Sequence, residues 1–113
     1  MENVLIMEGI IGKIETKPFK STSVTNFSIA HKEQWKDKYQ IDQEEMHWFN
    51  CQLWNAPQKL LDKLTVGSLV LLLEGKLKTK KYINKNDEEV VSFYISVNKI
   101  KVLAEKKGLK EPK

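Results

Sequence analysis

Arginine is absent: all 19 basic residues of this 113-residue chain are lysines. Arginine reads guanine edges bidentately, whereas lysine is a flexible point charge suited to phosphate, so a polyanionic partner would be held by its backbone without sequence reading. Cysteine is nearly absent too. Cys51 stands alone, which excludes an intrachain disulfide, and the only histidines, His31 and His47, make no zinc motif with it. His47 and Cys51 are four apart on a predicted strand, a spacing that does not converge on one metal. Long apolar runs are missing. The stretch Leu69–Leu73 is far below a membrane span, and the opening MENVLIMEG couples an acidic second residue to a short apolar run. Neither a signal peptide nor a membrane anchor is expected, and the cytoplasm is the expected compartment. No carboxylate pair, activated nucleophile, Gly-rich phosphate loop or metal cluster is recognisable, which argues against an enzyme, a cofactor or a metal.

With 41% hydrophobic residues, the length suits one domain around a single core. The net charge of +4 is unevenly placed: residues 1–75 carry 8 lysines against 10 acidic residues, residues 76–113 carry 11 against 5. The positive excess therefore lies in the last third. A lysine-rich surface also serves solubility alone, so composition leaves both readings open.

The stretch GSLVLLLEGKLKTKKY, Gly67 to Tyr82, has two halves of opposite chemistry. Leu69 to Leu73 reads as a strand buried on both faces. After Gly75 alternation is strict, placing Lys76, Lys78, Lys80 and Tyr82 on one side and Leu77, Thr79 and Lys81 on the other. Gly75 itself predicts a bulge or bend, so the strand should leave the core carrying a basic, aromatic-tipped edge.

Asn3–Ile14 reads as a first strand, apolar on both faces, and Val24–Lys32 as a second, with the polar stretch 15–23 between them. Residues 33–45 form a charged loop in this reading, with Trp35 and Tyr39 set among lysines. The third strand, Met46–Trp54, puts Phe49, Cys51 and Leu53 on one face and Trp48, Asn50, Gln52 and Trp54 on the other. That second face is either another packed surface or a platform on which bases stack. Asn55–Leu64 is the one predicted helix, capped by Asn55, with Leu60, Leu61 and Leu64 as its apolar stripe. Asn84–Asp87 supplies a turn, and the last strand shows Val91, Phe93, Ile95 and Val97 on one face until Lys99 breaks the parity.

Five strands with a short helix between the third and fourth is the order of the OB-fold, an all-β Greek-key barrel. Residues 1–104 would form it and residues 105–113 a short basic tail. The segments NVLIMEGIIG, VTNFSIAHKEQWKDK, HWFNCQLWN, VGSLVLLLEGKLKTKKY and VNKIKVL, in that order, resemble bacterial single-stranded DNA-binding proteins across nearly the whole domain. The resemblance implies a homotetramer that wraps single strands without sequence preference, and the first strand, apolar on both faces, by itself predicts at least a dimer. It implies base stacking on Trp35, Trp48, Trp54 and Tyr82, the last standing where tryptophan is common. Phosphate contacts are expected from Lys76, Lys78 and Lys80, with contributions from Lys13, Lys32, Lys36 and Lys81. Two features depart from the family pattern. Phe49 occupies a position where a histidine sometimes serves assembly, and the chain ends in GLKEPK instead of an acidic tail, so tail-mediated recruitment of partner enzymes is not expected. An OB-fold primosome-type assembly module and an RNA-binding module are the alternatives.

Overall fold

The computed structural model describes residues 1–106. Five strands, β1 (Leu5–Phe19), β2 (Thr22–Lys36), β3 (Asp42–Trp54), β4 (Leu69–Ile83) and β5 (Glu89–Ala104), and one short helix, α1 (Gln58–Leu61), follow in the expected order. The strands close into a barrel in the order β1-β2-β3-β5-β4, with β3 and β5 parallel through Cys51 opposite Ile95 and Gln52 opposite Ser96. Every other pairing is antiparallel.

Alternation produces the core. Ile11, Phe27, Ile29, Cys51, Leu53, Val70, Leu72, Ile95 and Val97 point inward, and Leu64 plugs one end from beyond α1. Desolvation in this setting pushes the Cys51 thiol up to about 12, so the side chain behaves as a small hydrophobe. The parity break at Lys99 is a bulge: Gly75 opposes Val97 while Glu74 opposes Lys99, which leaves Asn98 over. Beyond it Ile100 and Val102 return to the core.

Four expectations are corrected. Residues 33–45 are not a loop, because β2 and β3 continue as a ladder from Glu33 opposite Glu45 to Lys36 opposite Asp42. A ribbon projecting into water has no apolar face, so alternation could not reveal it. Its turn is closed by Asp37, whose carboxylate accepts from the amides of Tyr39 (2.8 Å) and Ile41 (3.0 Å) and from Gln43 (3.1 Å). The Ile41 amide foremost holds that carboxyl below its ordinary value. Likewise β1 and β2 run on to Phe19 opposite Thr22, leaving a turn at Lys20–Ser21. Pro18 is tolerated there because β1 pairs with β4 only over Leu5–Ile10, so the missing donor faces an unpaired edge.

The helix is four residues long and starts after Pro57. Asn55 adopts φ 51° and its amide donates to the Ser23 carbonyl at 2.8 Å, which ties it to β2 and prevents it from capping. The stripe reading holds, with Leu60 and Leu61 packed on the core and Leu64 buried. Lastly, the run Leu69–Leu73 is not buried on both faces within one chain. Val70 and Leu72 are fully buried, Leu69 and Leu71 partly, and Leu73 is exposed, because the barrel has one interior and nothing covers its outer side here.

After β5, the Lys106 amide donates to Ser68 Oγ (3.3 Å) and its carbonyl accepts from Thr65 Oγ1 (3.1 Å). The rest of the expected tail, residues 107–113, lies outside the described residues. Among the described residues no helix is long and apolar enough to cross a membrane.

Leu72→Ala should cost about 2–5 kcal/mol in urea unfolding. Leu77→Ala, on the same strand where it has left the barrel, should cost about 0.5 kcal/mol. Equal costs would mean that the core extends into the hairpin.

Candidate nucleic-acid interface

The outer wall of the barrel is a continuous sheet surface whose side chains lie in rows. One row runs Glu15, Asn26, Gln52, Ser96, Lys76, each residue opposite the next across five strands. The adjoining row holds Lys13, Ser28 and Asn50. These polar rows are bracketed along β3 by Trp48 and Trp54, which face outward because Cys51 and Leu53 between them face in. Trp48 is 61% exposed and Trp54 45%, values that place both rings on the surface and not in the core.

Each ring is held by its neighbours. Trp48 lies over the backbone of β1 at Gly12, in the bulge between Ile11 and Lys13. A Cβ at Gly12 would run into Cζ3 of the indole and come within 2.9 Å of its Cη2, so only glycine leaves room for the ring. Trp54 donates from Nε1 to Gln52 Oε1 (3.0 Å), and Gln52 Nε2 donates to Asn26 Oδ1 at 3.4 Å. Phe19 packs edge-on against Trp54 with ring centroids 5.5 Å apart. The result is an aromatic and amide surface fixed in orientation before any ligand arrives.

Beyond this wall, β4 and β5 bend away as a hairpin. Between them lies a cleft of about 920 Å³ whose lining includes Lys13, Asn26, Asn50 and Gln52 on the barrel and Lys80 and Tyr94 on the hairpin. Lys76, Lys78 and Lys80 share one hairpin face, opposite Ser96, Tyr94 and Ser92, and Tyr82 ends that row opposite Val90. Lys81 is on the other face, opposite Val91. Among the described residues Lys13, Lys76, Lys78, Lys80 and Lys81 make no ion pair, whereas Lys32 meets Glu44 (3.9 Å) and Lys36 meets Asp42 (2.8 Å).

The structure thus gathers Trp48, Trp54, Lys13, Lys76, Lys78 and Lys80 around one surface and leaves others apart. Trp35, 44% exposed, opposes Gln43 on the face of the β2–β3 ribbon opposite to that of Trp48 and Trp54. Tyr82, 47% exposed, stands at the far end of the β4–β5 hairpin. Sequence reasoning missed Gly12, Phe19 and Phe93. Phe19 carried a usable signal, an aromatic between lysines in KPFK. Phe93 did not, because parity assigns it to the core face and cannot tell that the hairpin has already left the barrel, where its ring is exposed in the cleft lining.

The profile of the single-strand binding protein family matches residues 1–103. The chain belongs to that family. Two relatives, the single-stranded DNA-binding proteins of Neisseria meningitidis serogroup A strain Z2491 and serogroup B strain MC58, are each 26% identical over 104 residues, covering 89% of this chain. This family member spans about 59% of their length. A solved structure, the Plasmodium falciparum SSB complex with ssDNA, superposes with a TM-score of 0.77 at 21% identity, covering 91% of this chain and 96% of that one, and shows the shared fold.

Gly12→Val should dislodge the Trp48 ring, moving its indole N–H resonance in a two-dimensional NMR spectrum while the Trp54 resonance stays in place. An unchanged Trp48 signal would show that the ring does not rest on this backbone.

Proposed function

We infer that the chain, through a domain of residues 1–104, binds and protects single-stranded DNA without sequence preference, as in replication, recombination or repair. It acts by binding and not by catalysis, with no cofactor, in the cytoplasm. One observation carries the reading: exposed, pre-oriented tryptophans bracket a polar floor beside lysines that make no ion pair among the described residues. Bases laid on Trp48 and Trp54 would each gain about 1–3 kcal/mol regardless of identity, since every base has a π-face. Asn26, Asn50 and Gln52 offer donors and acceptors to whichever edge is presented. Duplex is disfavoured because stacking on protein requires unstacked bases.

Lys13, Lys76, Lys78 and Lys80 would neutralise phosphates and release counterions. Lys81 could serve a strand passing over the other face of the hairpin, while Lys32 and Lys36 would exchange exposed carboxylate partners for phosphate, at small loss because such pairs are weak. Tyr82, at the far end of the lysine row, and Trp35, on the opposite face of its ribbon, extend the path, so the strand is expected to wrap around the protein.

Self-association follows from uncovered apolar surface. Val4, Ile6 and Ile10 of the first strand region, Leu73 of β4 and Leu103 of β5 are exposed. In addition, β2 pairing begins only at Ile10, which leaves Leu5–Gly9 with one free strand edge. Such an edge and patch invite a second copy, and the family resemblance favours a homotetramer over a dimer. Light scattering at micromolar concentration should return a multiple of the 13.2 kDa chain mass. A stable monomer would refute this part.

Fluorescence titration with oligo-dT tests the site. Trp54→Ala should weaken binding by about 1–3 kcal/mol and barely move the melting temperature. Loss of about 3–5 kcal/mol of stability would instead make the ring structural. Lys78→Ala should shallow the slope of log K against log salt by about 0.7, one single-strand phosphate, with base preference unchanged. Absence of measurable binding to the wild type would favour the assembly-module alternative.

A further inference from the structure

The β2–β3 ribbon carries a cluster that the proposed DNA surface does not use. Glu33 and Glu45 are directly opposed in the ladder, and His47, two residues along β3 from Glu45, shares their face. His47 Nε2 lies 3.1 Å from Glu33 Oε1 and 3.4 Å from Glu45 Oε1. One ligand atom from each of the three residues falls within 4.8 Å of the other two. Sequence spacing paired His47 only with Cys51, which is buried in the core with its thiol protonated. The ladder brings in Glu33 from the neighbouring strand.

Two features make this more than a surface ion pair. Opposed carboxylates in a β-ladder repel. In a chain with 19 lysines, none of those in the described residues lies within ion-pair distance of Glu33 or Glu45, and the His47 ring is the only basic side chain there that does. The lysines of this ribbon serve other carboxylates instead: Lys32 meets Glu44 and Lys36 meets Asp42, both pairs on the opposite face. The second feature is metric. Zinc takes imidazole nitrogen and carboxylate oxygen at about 2.0–2.2 Å, so two donors on one tetrahedral ion stand about 3.3 Å apart. The two separations from His47 Nε2 already match that value, and rotation of one exposed glutamate brings the carboxylates equally close.

We propose that Glu33, Glu45 and His47 form a site for a zinc-class divalent cation, one histidine and two carboxylates, with a fourth position open to water. The ion would clasp β2 to β3 at the neck of the projecting ribbon, two residue pairs below Trp35 and on the same face. Ligands on two paired strands are pre-positioned by the backbone, whereas a loop would have to be ordered first.

Isothermal titration of the full chain with zinc chloride in a non-chelating buffer should show one saturable site per chain. His47→Gln and Glu33→Gln should each weaken it at least tenfold, while Glu44→Gln, on the other face of the ribbon, should not. Zinc should also slow amide hydrogen exchange between residues 33 and 45 in the wild type but not in His47→Gln. All three ligands are on the surface of a ladder, so the variants should fold, and circular dichroism checks that they do. Absence of a saturable site, or equal zinc affinity in wild type and His47→Gln, would overturn the proposal.

Discussion

The strands are longer than the barrel they close, and the rest of the structure depends on that mismatch. At about 3.3 Å per residue, a strand of fifteen residues reaches roughly 50 Å, and the molecule measures 52 × 46 × 33 Å. Only part of each strand can turn a face toward Ile11, Ile29, Leu72 and Ile95: the last residues of β3 and the first of β4 do so, for example. The remainder must leave in pairs, because an extended backbone in water satisfies its amides best against another strand. Three antiparallel ribbons result, ending at Phe19–Thr22, Lys36–Asp42 and Ile83–Glu89. The same alternation that builds the core then presents side chains to solvent on both ribbon faces.

This geometry explains how a small protein can keep large aromatic rings exposed without collapsing on them. Trp48 rests on the Gly12 backbone and Trp54 on Gln52 and the Phe19 edge, so each ring has one supported side and one free side. Held this way, a ring would lose little conformational freedom in the proposed stacking on a base. Between them Gln52 is tied across the strands to Asn26, so that part of the floor is ordered as well.

Charge is arranged with equal economy. The strands of the β2–β3 ribbon pair Lys32 and Lys36 with nearby carboxylates, while the lysine row of the β4–β5 hairpin makes no ion pair among the described residues. A polyanion bound as proposed would find these lysines on the hairpin side of the cleft, next to the wall that carries the tryptophans. Lysines on flexible stems can follow phosphates in many backbone conformations, which suits a partner recognised by chemistry common to every nucleotide.

What the amino-acid sequence determined by itself was local and periodic. The strand positions, the two faces of Met46–Trp54 and the parity break at Lys99 are read from period-two alternation, which each strand carries alone, and the irregularity at Gly75 from the glycine itself. Ribbons at residues 33–45 and 15–23 were not legible, since alternation shows only where one face is apolar and these segments face water on both sides. Only the tertiary structure decided which apolar residues stay uncovered, because Leu73 and Phe93 carry the same pattern as Leu72 and Ile95 and differ only in what packs against them. It alone also decided which distant residues meet. Gly12 beneath Trp48 and Glu33 beside His47 are neighbours through ladder register, a relation between strands that no single stretch of sequence contains.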